Sequence, residues 1–186
     1  SVDPRLDPTS AWNVLRAHDR SNARCADCDE RDPEWASINL GITLCIKCSG
    51  VHRFMGVVVS KVRSLVLDTW DAETLRVMKA IGNRAARAVW ECKLLAGQQN
   101  EAGAVARMIS SSSSRADREA FITSKYKQKL FVADAPAART ASPASLGAWL
   151  RDGLLARDYA MMTNAVARGA DTNWQWPSAL CALPPP

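Results

Sequence analysis

Apolar positions along the chain recur at helical spacing in most places and at strand-like density in two. Thr9 or Ser10 caps a short helix running to about Asp19, with Trp12 and Leu15 on its buried side. Thr69 or Asp71 opens a stronger helix that lines up Leu75, Met78 and Ile81 and ends at Gly82. Asn83 caps the next, which buries Val89, Trp90, Leu94 and Leu95 before Gly97 stops it. Ser114 and Asp117 match an S-x-x-D capping box. The helix behind them spaces Ile122, Tyr126 and Leu130 four apart, surrounded by Arg118, Lys125, Lys127 and Lys129. Residues 146–155 and 158–168 are further helical stretches, and 42–44 and 62–67 read as short strands, being β-branched and leucine-rich. Residues 22–52 carry few helical signals. Separate short strands among helices make this an α+β chain.

Between these elements lie three segments of another kind. Residues 1–9 carry prolines and read as a tail, residues 110–114 are consecutive serines, and residues 133–145 are rich in Ala, Pro, Ser and Thr, as a linker is. The 186 residues are 47% apolar and 23% charged, ordinary for a globular protein. No run of about 18 apolar residues is present to span a membrane, and no signal peptide is visible. The chain begins with Ser1 and reads as a piece of a longer protein. A net charge of +5 suits an acidic partner without choosing among nucleic acid, anionic lipid and an acidic protein face.

The cysteines change the picture more. Cys25-x2-Cys28-x16-Cys45-x2-Cys48 is a doubled Cys-x-x-Cys pattern, while Cys92 and Cys181 stand alone and read as bystander thiols. A zinc ion takes four ligands in a tetrahedron, and thiolates suit it. Two such turns close the shell and leave no open position for water, so the site is structural and Zn2+ is the expected cofactor. Paired copies at this spacing speak against a redox dithiol. His52 is not needed as a fifth ligand and is expected to be a hydrogen-bonded packing residue.

A wider set of residues surrounds the cysteines in order. Trp35-Ala-Ser-Ile-Asn39 precedes Gly41-Ile-Thr-Leu-Cys45, and Cys48-Ser-Gly-Val-His-Arg53 comes after. Then come Gly56, Ser60-Lys-Val-Arg-Ser-Leu65, Leu67-Asp68-Thr-Trp70, Ile81-Gly-Asn83, Phe121-Ile-Thr-Ser-Lys-Tyr126 and Phe131-Val132. This series resembles the ArfGAP family throughout residues 12–132. The ending Ala165-Val-Ala-Arg-Gly-Ala-Asp-Thr-Asn173 is similar to the second helix and turn of an ankyrin repeat, with Pro177-Ser-Ala-Leu180 starting the next. The two resemblances divide the chain into a tail (1–11), an ArfGAP zinc-finger domain (12–132), a linker (133–145) and an incomplete ankyrin segment (146–186). They imply a small zinc finger with a short β-sheet surrounded by helices, followed by an α-helical repeat. ArfGAP followed by ankyrin resembles the ACAP or centaurin-β class. The chain departs from the family at residues 57–59, Val-Val-Val where a histidine is often placed, and at Arg87, where asparagine is common.

The chain lacks the G-x-x-x-x-G-K-[ST] loop that would let it hold a nucleotide's phosphates itself. The resemblance implies instead a GTPase activator, not itself an enzyme, acting in trans on Arf bound to GTP. Arg53 is the implied arginine finger, although a bracing ion pair with Asp68 is the alternative for that residue type. Trp35, Ile38, Ile42, Lys61 and Asp68 are the expected partner-binding residues; Trp70 is expected to pack the finger onto the first helix. The resemblance further implies a cytoplasmic protein of membrane trafficking, peripheral at endosomal or plasma membranes, where a separate upstream domain would read phosphoinositides. Two rivals stand beside this reading. A nucleic-acid-binding finger explains the charge and the metal but neither Leu67-Asp68-Thr-Trp70 nor the helical tail, and no basic cluster follows Cys48. A zinc-finger scaffold without activating power would not need Arg53.

Overall fold

The structure, a computed structural model, describes residues 3–97, 108–133, 143–156 and 158–170. The chain divides into two units, residues 1–132 and 133–186.

Ser10 opens the first unit's α1 (Ala11–His18) by accepting the Asn13 N–H at 3.3 Å. Ala11 and Leu15 enter a core with Ala36, Leu65 and Met78, against which Trp12, Trp70 and Leu75 pack. Trp70 therefore does join the finger to α1, and its indole N–H donates to the Ser64 carbonyl at 2.8 Å. Residues 3–9 form turns held to this helix: the Asn13 amide donates to the Arg5 and Asp7 carbonyls at 2.9 and 2.8 Å.

The sheet has three strands: β1 (Trp35–Ser37), β2 (Ile42–Leu44) and β3 (Val62–Ser64). The order is β2-β1-β3, all antiparallel, with Trp35 opposite both Leu44 and Ser64. The central strand was not among the expected elements, and β3 is shorter than 62–67. It stops because the Ser64 hydroxyl accepts the Val66 and Leu67 N–H groups, while the Asp68 carboxylate accepts the Ser64 N–H. Gly41 turns β1 into β2 at φ 69°, where a Cβ would lie 2.5 Å from the Ile81 Cβ.

Cys45 then caps α2 (Ile46–Phe54), a helix inside the stretch where few helical signals were visible. Its buried face is Cys48, Ser49, Val51 and His52, while Ile46 and Phe54 face water. Its pattern is inside-out, which hid it from periodicity.

Asp71 caps α3 (Ala72–Trp90) through the Thr74 N–H at 2.7 Å, and the helix breaks at Gly82 (φ 68°, ψ 166°), as expected. Asn83 does not cap the second half. Its side-chain oxygen accepts the Thr43 N–H at 2.8 Å and its amide donates to the Arg24 carbonyl, clamping α3 to β2; the Ser21 hydroxyl accepts the Arg84 N–H instead. After the short α4 (Cys92–Leu95), Leu95 is exposed rather than buried. Ser114 and Asp117 form the expected reciprocal cap of α5 (Arg115–Ile122). The chain then widens into a π-helical turn over Thr123–Lys127. That turn breaks the four-residue spacing: Ile122 and Tyr126 are buried but Leu130 is exposed, and Phe121 and Phe131 stack, centroids 5.6 Å apart. Arg118 and Lys125, expected on the charged surround, are buried.

The second unit's α6 (Pro143–Ala156) and α7 (Tyr159–Ala167) match the expected helical stretches. Asp158 caps α7, and Leu146, Leu150, Ala165 and Ala170 form a core of their own with Trp149 and Met162. Most of the expected linker, the Pro177 repeat start and Cys181 lie outside the described residues.

Candidate metal centre and its exposed face

The first cysteine knuckle is a tight turn: the Cys25 N–H reaches the Glu30 carbonyl at 2.8 Å, and Asp29 takes a left-handed φ of 60°. The Ala26 N–H donates to the Thr43 carbonyl at 2.9 Å, fastening this knuckle to β2. The second knuckle begins where β2 ends, at Cys45, and runs into α2. The hairpin thus brings the two pairs together. The sulfurs of Cys25, Cys28, Cys45 and Cys48 all lie within 4.8 Å of one another, and all four residues are buried.

Cys28 Sγ and Cys45 Sγ are 3.6 Å apart. A disulfide would require about 2.05 Å. A tetrahedron of metal–sulfur bonds of about 2.3 Å has an edge of about 3.8 Å, so the separation fits a four-thiolate metal shell. The surroundings treat the sulfurs as anions. The Cys48 N–H points at Cys45 Sγ, and the buried Arg118 guanidinium donates to Cys48 Sγ at 3.3 Å and to the Ser110 and Ser111 carbonyls at 2.9 and 2.7 Å. Burial alone would lower the Arg118 pKa, but its contacts with Cys28 and Cys48 outweigh that and raise it. Arg118 has no carboxylate partner among the described residues, so the thiolate cluster is its counter-charge.

Behind the cluster lies a buried charged network. Asp27, between the first two cysteines, accepts from Lys125 and from the Tyr126 hydroxyl, each at 3.0 Å, and meets His52 Nε2 at 3.0 Å. Lys125 also donates to Glu91 at 2.7 Å, and Arg87, the residue that departs from the family pattern, lies 3.0 Å from the same carboxylate. Burial pushes the Asp27 carboxyl up, but Lys125 and His52 overcome it and hold it well below the usual carboxylate range. Lys125 is driven down by burial and more strongly up by Asp27 and Glu91. His52 is a packing residue, as expected: its Nδ1 meets Ser60 Oγ at 2.8 Å, and Ser60 donates to Ser37 in β1 at 2.7 Å.

Arg53 follows His52 in the last turn of α2 and is exposed. At about 1.5 Å of rise per residue it stands about 7.5 Å along the helix axis from Cys48. Among the described residues no carboxylate pairs with it. The bracing pair with Asp68 is not formed; Asp68 binds the Ser64 N–H instead. The guanidinium lies over the Trp35 ring, 4.3 Å from its centroid. A neutral ring holds the cation by about 0.5–1 kcal/mol at an exposed site and leaves its charge uncompensated.

The other expected partner-binding residues divide. Trp35 and Ile38 are half-buried and Lys61 and Asp68 are exposed. Ile42 is 0% exposed, its side chain enclosed in the core, and offers nothing to a partner. Its β-branched shape signals a strand but not which way the side chain points. Sequence reasoning missed the roles of Arg118 and Lys125, whose partners lie far away along the chain, and of Glu91. It also missed Phe54, whose apolar character so near Arg53 was the available signal.

Residues 10–135 match the ArfGap family, described as "GTPase activating protein for Arf". Human Arf-GAP with coiled-coil, ANK repeat and PH domain-containing protein 3 is 49% identical over 117 residues, which is 63% of this chain and 13% of that protein. ADP-ribosylation factor GTPase-activating protein AGD3 of Arabidopsis thaliana is 42% identical over 125 residues, 60% of this chain and 15% of that one. These relatives are thus far longer than the stretch they share with this chain. The solution structure of the ArfGap domain of human RIP superposes with a TM-score of 0.53 at 22% identity, covering 72% of this chain and 93% of that one, which is a likeness of fold.

Proposed function

Because the chain belongs to the ArfGap family, we propose that it stimulates GTP hydrolysis on an Arf-family GTPase, with Arg53 entering the nucleotide site in trans and zinc held by Cys25, Cys28, Cys45 and Cys48. The observation that carries this reading is the placement of Arg53: exposed, without an acidic partner among the described residues, and mounted on the helix that begins at the metal ligands. Negative charge builds on the phosphate oxygens as the β–γ bond breaks, and a guanidinium meets two of them with its fork. Arginines delivered in this way are worth roughly 10³–10⁵ in rate in GTPases generally. The zinc does no chemistry on the nucleotide; its four protein ligands close its shell and make it a mount for α2.

Trp35, Ile38, Lys61 and Asp68 surround this reading as partner contacts, the first by holding Arg53 until the GTPase arrives. In the second unit, α6 and α7 would be the first ankyrin helices of a longer array, an idea supported by the Ala165–Asn173 pattern and by the ANK repeats in the relative's name. A phosphoinositide membrane, reached through a separate lipid-binding domain, belongs to the same proposal.

The test is single-turnover GTP hydrolysis on Arf at saturating protein. Arg53→Lys keeps the charge and loses the fork, so it is expected to fold, keep its metal and bind Arf, yet lose most of the rate, because the lost contact forms only in the transition state. Near-normal rates from a well-folded Arg53→Lys protein would show that Arg53 is not the catalytic group.

A further inference from the structure

A cleft of about 440 Å³ lies where the first cysteine knuckle meets the second half of α3, and no residue of α2 lines it. Arg24, Arg84 and Arg87 stand around it, with Ser21 and Asp29. Each arginine has an acid: Arg24 meets Asp29 at 2.8 Å, Arg84 meets Asp19 at 3.2 Å and Arg87 meets Glu91 at 3.0 Å. In every pair the carboxylate is met by a single guanidinium nitrogen. None is a closed fork-to-fork pair, so each arginine keeps two adjacent nitrogens with hydrogens to donate. The Ser21 hydroxyl accepts the Arg84 N–H at 3.1 Å and still has its own hydrogen to give.

Two further arginines border this cleft in the chain. Arg20 precedes Ser21, and Arg31 faces Arg24 across an antiparallel bridge. Residues opposed in that way hold their Cβ atoms about 4.5–5.5 Å apart, and like charges so placed repel. Both Arg20 and Arg31 are exposed and have no carboxylate partner among the described residues. The frame beneath is fixed. The Asn83 amide donates to the Arg24 carbonyl at 2.6 Å and the Ser21 hydroxyl holds the Arg84 backbone, so the walls cannot drift apart to relieve the charge. Arg87 adds to it at a position where asparagine is common in the family. Repulsion built into a rigid surface is a cost of the free fold that a bound anion removes.

We propose that Arg24, Arg84 and Arg87, with the Ser21 hydroxyl, bind a small polyol that carries two or more phosphate monoesters, an inositol polyphosphate either free or as a lipid headgroup. The guanidinium fork matches phosphate oxygens two at a time, and arginine is the side chain suited to that planar contact. Three of them, from the knuckle and from α3, reach more than one phosphate. The cleft has room for a six-membered ring. No aromatic side chain lines it, so it offers no platform on which a base would stack, and a nucleotide or a single nucleic-acid strand fits it less well. The site lies in the finger unit itself and is independent of Arg53. A ligand bridging Arg24 and Arg87 staples the knuckle that carries Cys25 and Cys28 to α3.

The experiment titrates the zinc-loaded 186-residue chain with inositol hexakisphosphate by calorimetry and follows its melting temperature. Saturable binding is expected, with a rise in melting temperature, because a ligand held only by the folded state stabilises it. Arg84→Ala removes a side chain that is 82% exposed and leaves the fold in place; Arg87→Asn restores the residue common in the family. Each is expected to weaken binding about tenfold, as the loss of a charge-assisted contact does. Vesicles identify the source. Cosedimentation with phosphatidylcholine vesicles containing phosphatidylinositol bisphosphate, lost in both variants, assigns a lipid headgroup; binding of the free compound without cosedimentation assigns a soluble ligand. No saturable binding to either, or affinities unchanged in both variants, overturns the proposal. An RNA oligonucleotide held more tightly through the same arginines overturns it in favour of nucleic acid.

Discussion

Arg118 and Lys125 sit on the same helical segment, and each answers a different negative charge. Arg118 is the only guanidinium among the described residues that donates to a cysteine sulfur, and it neutralises part of the excess charge of a four-thiolate shell. Arg118→Met keeps the packed stem and removes that charge. Outer-shell partners of metal ligands are worth about 10–100-fold in affinity, so chelator competition should find zinc bound weaker by about that range. Equal affinity in a folded Arg118→Met protein would mean that the guanidinium only anchors the serine segment. Lys125→Met is expected to be harsher. It takes away the cation that Asp27 and Glu91 share, leaving Asp27 with only Tyr126 and His52 and Glu91 with only Arg87, a loss of about 3–5 kcal/mol, visible as a large fall in urea midpoint; a change under about 1 kcal/mol would contradict the network. Neither role was legible in the sequence. Cys25, Cys28, Cys45 and Cys48 are read easily because their spacing is local, whereas Arg53 is singled out only by the family resemblance. A lysine whose acid lies 98 positions away looks like any solvated lysine.

At the scale of elements, the legible parts are those shaped by a single face of apolar side chains. The helices capped by Ser10, Asp71 and Ser114 and the break at Gly82 carry their own signals and stand where expected. Helix α2 and strand β1 do not. The four cysteines take the place of aliphatic packing under α2, so most of its buried positions are polar or sulfur-bearing, and β1 is three residues long with Ala36 and Ser37 both buried, on opposite faces. The β1–β2 turn offers a sharp test of this packing. Gly41→Ala puts a methyl into the Ile81 side chain and a non-glycine residue at positive φ. Overpacking of this kind costs about 1–3 kcal/mol and left-handed backbone about 1–2 more. Urea denaturation should show the loss with an unchanged m-value. A wild-type midpoint would mean that α3 moves away from the hairpin at little cost.

Taken whole, the first unit has a modest apolar core and a buried cluster of four cysteines suited to a metal ion. Its stability should therefore depend on the ion. Removing zinc with a strong chelator, or substituting Cys28→Ser, is expected to abolish the sharp thermal transition of residues 3–132, because binding free energy is folding free energy in such sites. A metal-free preparation with an unchanged melting curve would rule this out. The ligands themselves are compactly encoded, while the groups that enclose them arrive late: Arg118 is 70 positions beyond Cys48, and Lys125 is 98 beyond Asp27. During synthesis, which proceeds from the N-terminus at about 5–20 residues per second, all four thiols leave the ribosome several seconds before the segment that shields them. In that interval the four thiols lack the Arg118 guanidinium that donates to Cys48 Sγ and the Lys125 cation behind them, and they stand open to exchange and oxidation. Zinc offered during translation is then expected to yield more folded protein than the same zinc offered after release, a difference that cell-free synthesis with early and late addition measures.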